Sequence, residues 1–435
     1  MHTSFGIGQK LRRLLDHPVV FLRWLLFAVL IGVVAGGVST AFYYAFEWAV
    51  SMRTAHPMLL WLLPVAGVVI VLLYRLFHME KDQGTNFVLA SVRENSALPL
   101  RTAPLVFIST IITHLFGGSS GREGAILQIG GSISYAIGRV MRLDDKDNRI
   151  ITMCGMAAAF SALFGTPLTA AIFSMEVVSV GVMYYAAIVP CTISALIGLS
   201  IAKFFGVAGT AFSLDGIPAL NFLTLGQSLA MGILVALLAI VFCRVMHNTH
   251  KLYDRFFPNK FVRAIAGGLL VIAMTYLMWI WAPGTYDYNS AGEAIIHAAT
   301  LGQARPEAFL WKILFTAITL GAGYKGGEIV PVFFTGATFG CVVAPLLGLS
   351  PSFGAGLGMV SLFCGVTNCP LSSLLLALEL FGASSGFSIQ SLGLFAVCIA
   401  VSYMLSGYSG LYNEQKIMYS KFRPEFINRK ANHND

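Results

Sequence analysis

Charged residues are spread so thinly along this chain that long stretches carry none. Asp, Glu, Lys and Arg are absent from Thr102 to Gly121 and from Gly216 to Cys243, and between Pro331 and Asn413 the one charge is Glu379. A helix that spans a bilayer needs roughly 20 apolar residues, so the last of these stretches predicts more than one crossing. Helices are expected because they satisfy every backbone polar group within one segment. Glycine and proline interrupt the apolar runs at 117–124, 165–167, 323–331 and 365–370. Breaks at membrane depth are tolerated where backbone is buried in protein or lines a cavity. The pattern therefore predicts broken helices around an internal site.

The chain also repeats itself. Gly155-Met156, Phe160, Pro167-Leu168 and Glu176 recur as Gly358-Met359, Phe363, Pro370-Leu371 and Glu379, each pair 203 residues apart. Arg122 and Lys325 share that offset. Two membrane repeats are expected, at 20–215 and 220–420, joined near Ser213–Pro218, with a segment 1–19 before them and a short basic tail, 421–435, after them. Repeats of this kind are common in transporters, often with inverted topology and a site at the midplane.

Two motifs place carboxylates inside this apolar frame: Gly121-Arg122-Glu123-Gly124-Ala125 and Gly326-Gly327-Glu328-Ile329-Val330-Pro331. An ionisable residue at membrane depth is costly and marks a functional site by default. Glycines on either side allow close approach of a ligand. A helix start whose amides face an anion, with a carboxylate competing for that place, fits the first motif. The competing reading of the glycines is helix packing; the Arg-Glu pair within the first motif is not explained by packing.

Composition agrees. Hydrophobic residues make up 57% and charged residues 11%, where a soluble domain carries roughly a quarter charged, and mean hydropathy is +0.76. The chain is read as an all-α polytopic protein of the lipid bilayer. No cleavable signal pattern precedes the apolar run from Leu25. Lys10, Arg12 and Arg13 near one end, and Lys416, Lys421, Arg423, Arg429 and Lys430 near the other, predict cytoplasmic termini. The net charge of +8 is then loop charge, not a nucleic-acid patch, and the cluster Arg244–Arg263 is expected on the same side. The seven cysteines form no CxxC pair and are read as packing residues. No metal-ligand spacing is seen and no cofactor is expected.

These residues resemble the CLC family of chloride channels and anion/proton exchangers. Gly121–Ala125 looks like its Gly-Arg-Glu-Gly-Pro signature, and Gly327–Pro331 is similar to its Gly-x-Phe-x-Pro motif. Tyr412, in Ser409-Gly-Leu-Tyr, stands where the family has an anion-binding tyrosine; Phe164–Thr169 and Asn368–Ser372 fit its repeated pre-helix segments. The resemblance implies two inverted repeats of broken, tilted helices and a homodimer with one pore per subunit. It implies halide transport, with Glu123 as a gate that leaves the external anion site when protonated. The amides of Arg122, Gly124 and Val330 would serve that site, and those of Glu328 and Ile329, with the Tyr412 hydroxyl, a central one. Backbone dipoles bind an anion without a full charge, so it can leave again.

Departures shape the expectation. The family's Gly-Ser-Gly-Ile-Pro motif is replaced by Asp82–Phe87, so Asn86 or Thr85 would stand in for its serine. The internal proton-transfer glutamate of many exchangers is here Val177, and Glu176 is read as structural. Glu328, Asn86 and Thr113–Ser119 look like the fluoride-exporting branch, although Val330 stands where that branch would have threonine. Proton handling by Glu328 is weighed evenly against a carboxylate facing a wet vestibule. Tyr408 is the alternative to Tyr412. A proton-coupled halide antiporter, of chloride or fluoride, is favoured over a passive gated channel; an enzyme or receptor ranks far behind, for want of a nucleophile–base constellation. Membrane location would be the inner membrane in a Gram-negative source.

Overall fold

In a computed structural model the backbone is described for residues 7–422 and 426–430, apart from 81, 83, 95 and 281. The side chains of Lys10, Arg12, Arg13, Arg429 and Lys430, all of Arg423, and residues 1–6 and 431–435 of the two end segments lie outside the described residues. The described residues hold two sets of eight α-helices. The first set is α1 (Ile7–Ala55), α2 (Leu63–Leu76), α3 (Thr85–Glu94), α4 (Thr102–Leu115), α5 (Glu123–Val140), α6 (Asp145–Phe164), α7 (Pro167–Glu176) and α8 (Ile188–Phe204). The second is α9 (Phe222–Phe256), α10 (Lys260–Met278), α11 (Glu293–Thr300), α12 (Ala308–Gly321), α13 (Ile329–Val343), α14 (Pro351–Thr367), α15 (Pro370–Phe381) and α16 (Ile389–Leu405). Six stretches, among them Val19–Ala55 and Phe222–Phe256, are long and apolar enough to cross a membrane. A small sheet joins β1 (Ser179–Val180) in parallel to β2 (Lys416–Tyr419), which pairs antiparallel with β3 (Phe426–Lys430).

The breaks fall where the glycines and prolines predict them. α4 and α12, at 14 residues each, are about 21 Å long, short of a hydrocarbon core of about 30 Å. Each stops before a glycine-rich turn, and α5 and α13 start after it. α6 ends at Gly165 (φ 79°) and α14 at Asn368 (φ 59°), both left-handed C-caps. Pro167 and Pro370 then open α7 and α15 with a φ already suited to a first helical turn.

The two halves are joined reciprocally. The carboxylate of Glu379 accepts from the amides of Leu168 and Thr169, both at 2.9 Å. The carboxylate of Glu176 accepts from Leu371 at 3.1 Å and Ser372 at 2.8 Å. Each half thus caps a helix of the other, the exchange of contacts that a two-fold relation produces, so both glutamates are structural. Replacing Glu379 with Ala is expected to cost about 1–2 kcal/mol, as for other N-caps, read as a lower melting temperature in detergent.

The same relation corrects one register. Gly121 and Gly327 exchange backbone hydrogen bonds of 2.6 and 2.7 Å in an antiparallel bridge. Arg122 and Glu328 are the N-caps that follow. Arg122 therefore corresponds to Glu328, an offset of 206, and not to Lys325 at 203. The extra three residues are absorbed before the Gly155/Gly358 pair, because α6 is 20 residues long and α14 is 17. At the crossing the backbones nearly touch: a Cβ on Gly327 would lie 2.4 Å from the Gly124 nitrogen. All seven cysteines are free and buried, as packing residues should be.

Candidate functional site

The Gly121–Gly327 bridge brings the N-termini of α5 and α13 together. The first amides of a helix have no intrahelical partner and carry the positive end of its dipole. Glu123, wholly buried at the first position of α5, fills this place itself. Its Oε2 accepts from the amide of Arg122 at 3.0 Å and from that of Val330 at 3.3 Å, one donor from each half. Its Oε1 is buried without a hydrogen-bond partner among the described residues. Gly124 and Ile329 lie in the same two first turns.

Arg122 stands beside Glu123 without hydrogen-bonding it through its side chain. Its Nε is 3.7 Å from Glu123 Oε1, too far for a hydrogen bond. Its guanidinium turns instead to Glu47 and Glu293.

The bridge separates two cavities. The smaller, about 290 Å³, is lined by Glu123, Arg122, Val330, Phe333, Glu47 and Glu293 among others. The larger, about 610 Å³, reaches Glu328, Tyr412, Thr85, Asn86 and Gln128 from the other side. Glu328 Oε2 and the Tyr412 hydroxyl are buried without hydrogen-bond partners among the described residues. Thr85 Oγ1 reaches the Gly124 carbonyl at 3.4 Å, and a Cβ on Gly124 would lie 3.0 Å from Thr85 Oγ1 and 3.5 Å from Glu328 Oε2. Asn86 is turned to another task, its Oδ1 accepting from the amide of Glu414 at 3.2 Å. Of the two proposed serine substitutes, Thr85 is the one beside the crossing. Tyr408 bonds Ser420 at 2.8 Å and does not line the larger cavity, whereas Tyr412 does. Val177 is fully buried and its carbonyl accepts from Gln415.

Several supporting residues escape sequence reasoning. Gln128, one turn along α5, donates to the Gly124 carbonyl at 3.0 Å. Lys312 is fully buried and donates to the carbonyls of Ser290 at 2.7 Å and Tyr288 at 3.3 Å. Ser290 Oγ meets His114 Nδ1 at 2.8 Å, and His114 Nε2 meets Ser120 Oγ at 3.1 Å, a brace behind the turn that carries Glu123. Lys312 had a signal: it is the one charge between Glu307 and Lys325. Asn368, Gln415 and Lys421 form a second buried cluster that ties the Tyr412 segment to the end of α14. Apart from Gln128–Gly124 and His114–Ser120, these contacts join distant segments and have no local pattern.

The fold agrees with what the chain is similar to. A family model described as voltage gated chloride channel matches residues 66–407. The chain is 35% identical over 426 residues to a chloride/fluoride channel protein of Pseudomonas syringae pv. tomato, covering 96% of this chain and 92% of that one. It superposes on the crystal structure of a CLC-type fluoride/proton antiporter with a TM-score of 0.85 and 29% identity, over 91% of this chain and 98% of that one. A slow cyanobacterial Cl−/H+ antiporter shares the fold at a TM-score of 0.74 and 18% identity, over 88% and 94% of the two chains.

Proposed function

The chain belongs to the CLC family of voltage gated chloride channels, and on that premise we propose that it exchanges a halide, with fluoride favoured over chloride, for protons across the membrane. The observation that carries this reading is the place of Glu123: a carboxylate bound by amides from two helix N-termini, one per half, occupies a ready-made anion site. A proton on that carboxylate removes its charge and its claim on the amides, so anion entry and proton uptake are linked at one position. Glu328 lies across the bridge, on the path from the larger cavity, and passes protons toward it. The amides of Arg122, Gly124 and Val330 serve the outer site; those of Glu328 and Ile329, with the hydroxyls of Tyr412 and Thr85, serve the central one, and Asn86 holds its wall.

The larger cavity faces the cytoplasm, because Lys251, Lys260 and Arg263 line it. The smaller one then opens outside. Repeats at 20–215 and 220–420, cytoplasmic termini and a homodimer with a pore in each subunit belong to the same reading. The likeness to a fluoride/proton antiporter supports fluoride, as do Glu328 and Asn86, while the name of the chloride/fluoride relative fits either ion.

Liposome flux tests the proposal. Halide efflux is recorded for fluoride and chloride while proton uptake is followed. Fluoride efflux that drives protons against their gradient supports the exchanger; chloride efflux with no proton movement overturns it. A passive channel is the second reading, favoured by the buried, apolar Val177 at the family's internal proton position.

Tyr412→Ala is expected to weaken halide binding, measured by calorimetry, by about tenfold, the scale of one lost hydrogen bond to a charged group. Tyr412→Phe should reproduce most of that loss, since it removes the hydroxyl alone. Unchanged binding would take Tyr412 out of the central site.

A further inference from the structure

Arg122 poses a problem for any anion path through the smaller cavity. A full positive charge beside the path holds an anion instead of passing it, and useful sites bind weakly enough to release. Yet the Arg122 side chain lines that cavity, one residue from the gate.

The structure shows where the charge is spent. Nη1 lies 3.1 Å from Glu47 Oε1 on α1, and Nη2 lies 3.0 Å from Glu293 Oε1 at the first turn of α11. The guanidinium stacks over the rings of Phe46 at 5.0 Å and Tyr43 at 5.6 Å. Its side chain is 6% exposed, whereas those of Glu47 and Glu293 are 45% and 48% exposed. The two acids therefore face the cavity water and the arginine lies behind them. Two carboxylates answer one guanidinium, so the group carries an excess negative charge before Glu123 is counted. His297 and Tyr43 also line this mouth, and neither supplies a compensating cation when neutral. Glu47 and Glu293 come from different halves and have no local motif in common.

We propose that Glu47 and Glu293 are a charge clamp that confines Arg122 to the wall of the outer mouth and so keeps the external anion site weak and fast. When Glu123 leaves the amides, the guanidinium stays tied to the two acids and does not turn onto the arriving anion. Arg122 itself still serves that anion through its backbone amide. The net negative mouth also disfavours re-entry of an anion from outside. The inference rests on reading the smaller cavity as the external opening of a halide path.

The test uses the full chain with Glu47→Gln, Glu293→Gln and the double variant, which keep side-chain shape and remove the charges. Fluoride and chloride titrations by calorimetry on purified protein give affinity without requiring transport. Liposome exchange, with protein of one orientation selected, gives the apparent affinity from each side. The expected result is tighter external binding, roughly threefold per carboxylate and about tenfold for the double variant, the range of half-exposed ion pairs. Maximal turnover falls with it, affinity from the cytoplasmic side is unmoved, and the effect shrinks as ionic strength rises. Loss of a merely structural contact would instead weaken both sides and be indifferent to salt. Unchanged or weaker binding in folded single variants overturns the clamp. Should wild-type protein carry no halide flux, the transport reading fails, while tighter calorimetric binding in the double variant still upholds the clamp.

Discussion

Glu123→Gln is expected to abolish proton movement to the level of empty liposomes while halide flux persists. The amide is nearly isosteric with the carboxyl group and keeps an oxygen for the Arg122 and Val330 amides. It carries no charge, so it competes weakly with an anion for the two helix ends. It also cannot take up and release a proton in the working range. Anion movement and proton movement, linked at this one side chain, should therefore separate. The outer site, no longer filled by a fixed anion, should bind halide more tightly. Burying a charge is costly, and Oε1 has no hydrogen-bond partner among the described residues, so the uncharged, near-isosteric variant is expected to fold. Simultaneous recording of halide and pH in the same vesicles makes the measurement. Proton coupling retained in the variant would remove Glu123 from the gate.

Much of this arrangement is legible in the sequence, for a physical reason. Lipid removes water as a partner for the backbone, so helices, breaks and charges must all be marked in the chain. The four glycine and proline interruptions coincide with the four helix breaks, and the 203-residue repeat survives in the paired caps Gly165 and Asn368. Glu123 announces itself because a lone carboxylate in an apolar run is expensive. What the sequence hides is what acts across space. Glu47 and Glu293 are ordinary acids until the fold brings both to Arg122. The offset between Arg122 and Lys325 misleads because a matching charge is weaker evidence of equivalence than a backbone bridge. The choice between Thr85 and Asn86 depends on which side chain points at the crossing, and adjacent residues on a helix never point the same way.

Glu328→Gln carries the second large effect: proton transport should fall by roughly 10²-fold, the scale on which a positioned proton donor or acceptor contributes. Elimination among the carboxylates of the larger cavity leaves this residue. Five carboxylates line that cavity: Glu80, Asp82, Asp254, Glu328 and Glu414. Asp82 is tied to Lys325 at 3.1 Å, Glu414 to Arg93 at 2.8 Å, Asp254 to Arg263 at 2.6 Å and Glu80 loosely to Arg75 at 3.8 Å. Glu328 forms no such salt bridge among the described residues, and it is the one at a helix N-terminus beside the crossing. Val177 offers no proton-carrying group. On the proposed orientation, a proton entering by the larger cavity would have Glu328 as its last carboxylate before the bridge. The variant differs from Glu123→Gln in a way that separates the two roles. Glutamine at 328 leaves the outer carboxylate in place to block the amides, so halide exchange should slow together with proton movement instead of being released from it. Coupled exchange at the parental rate and stoichiometry in Glu328→Gln would show that protons pass this cavity through water alone.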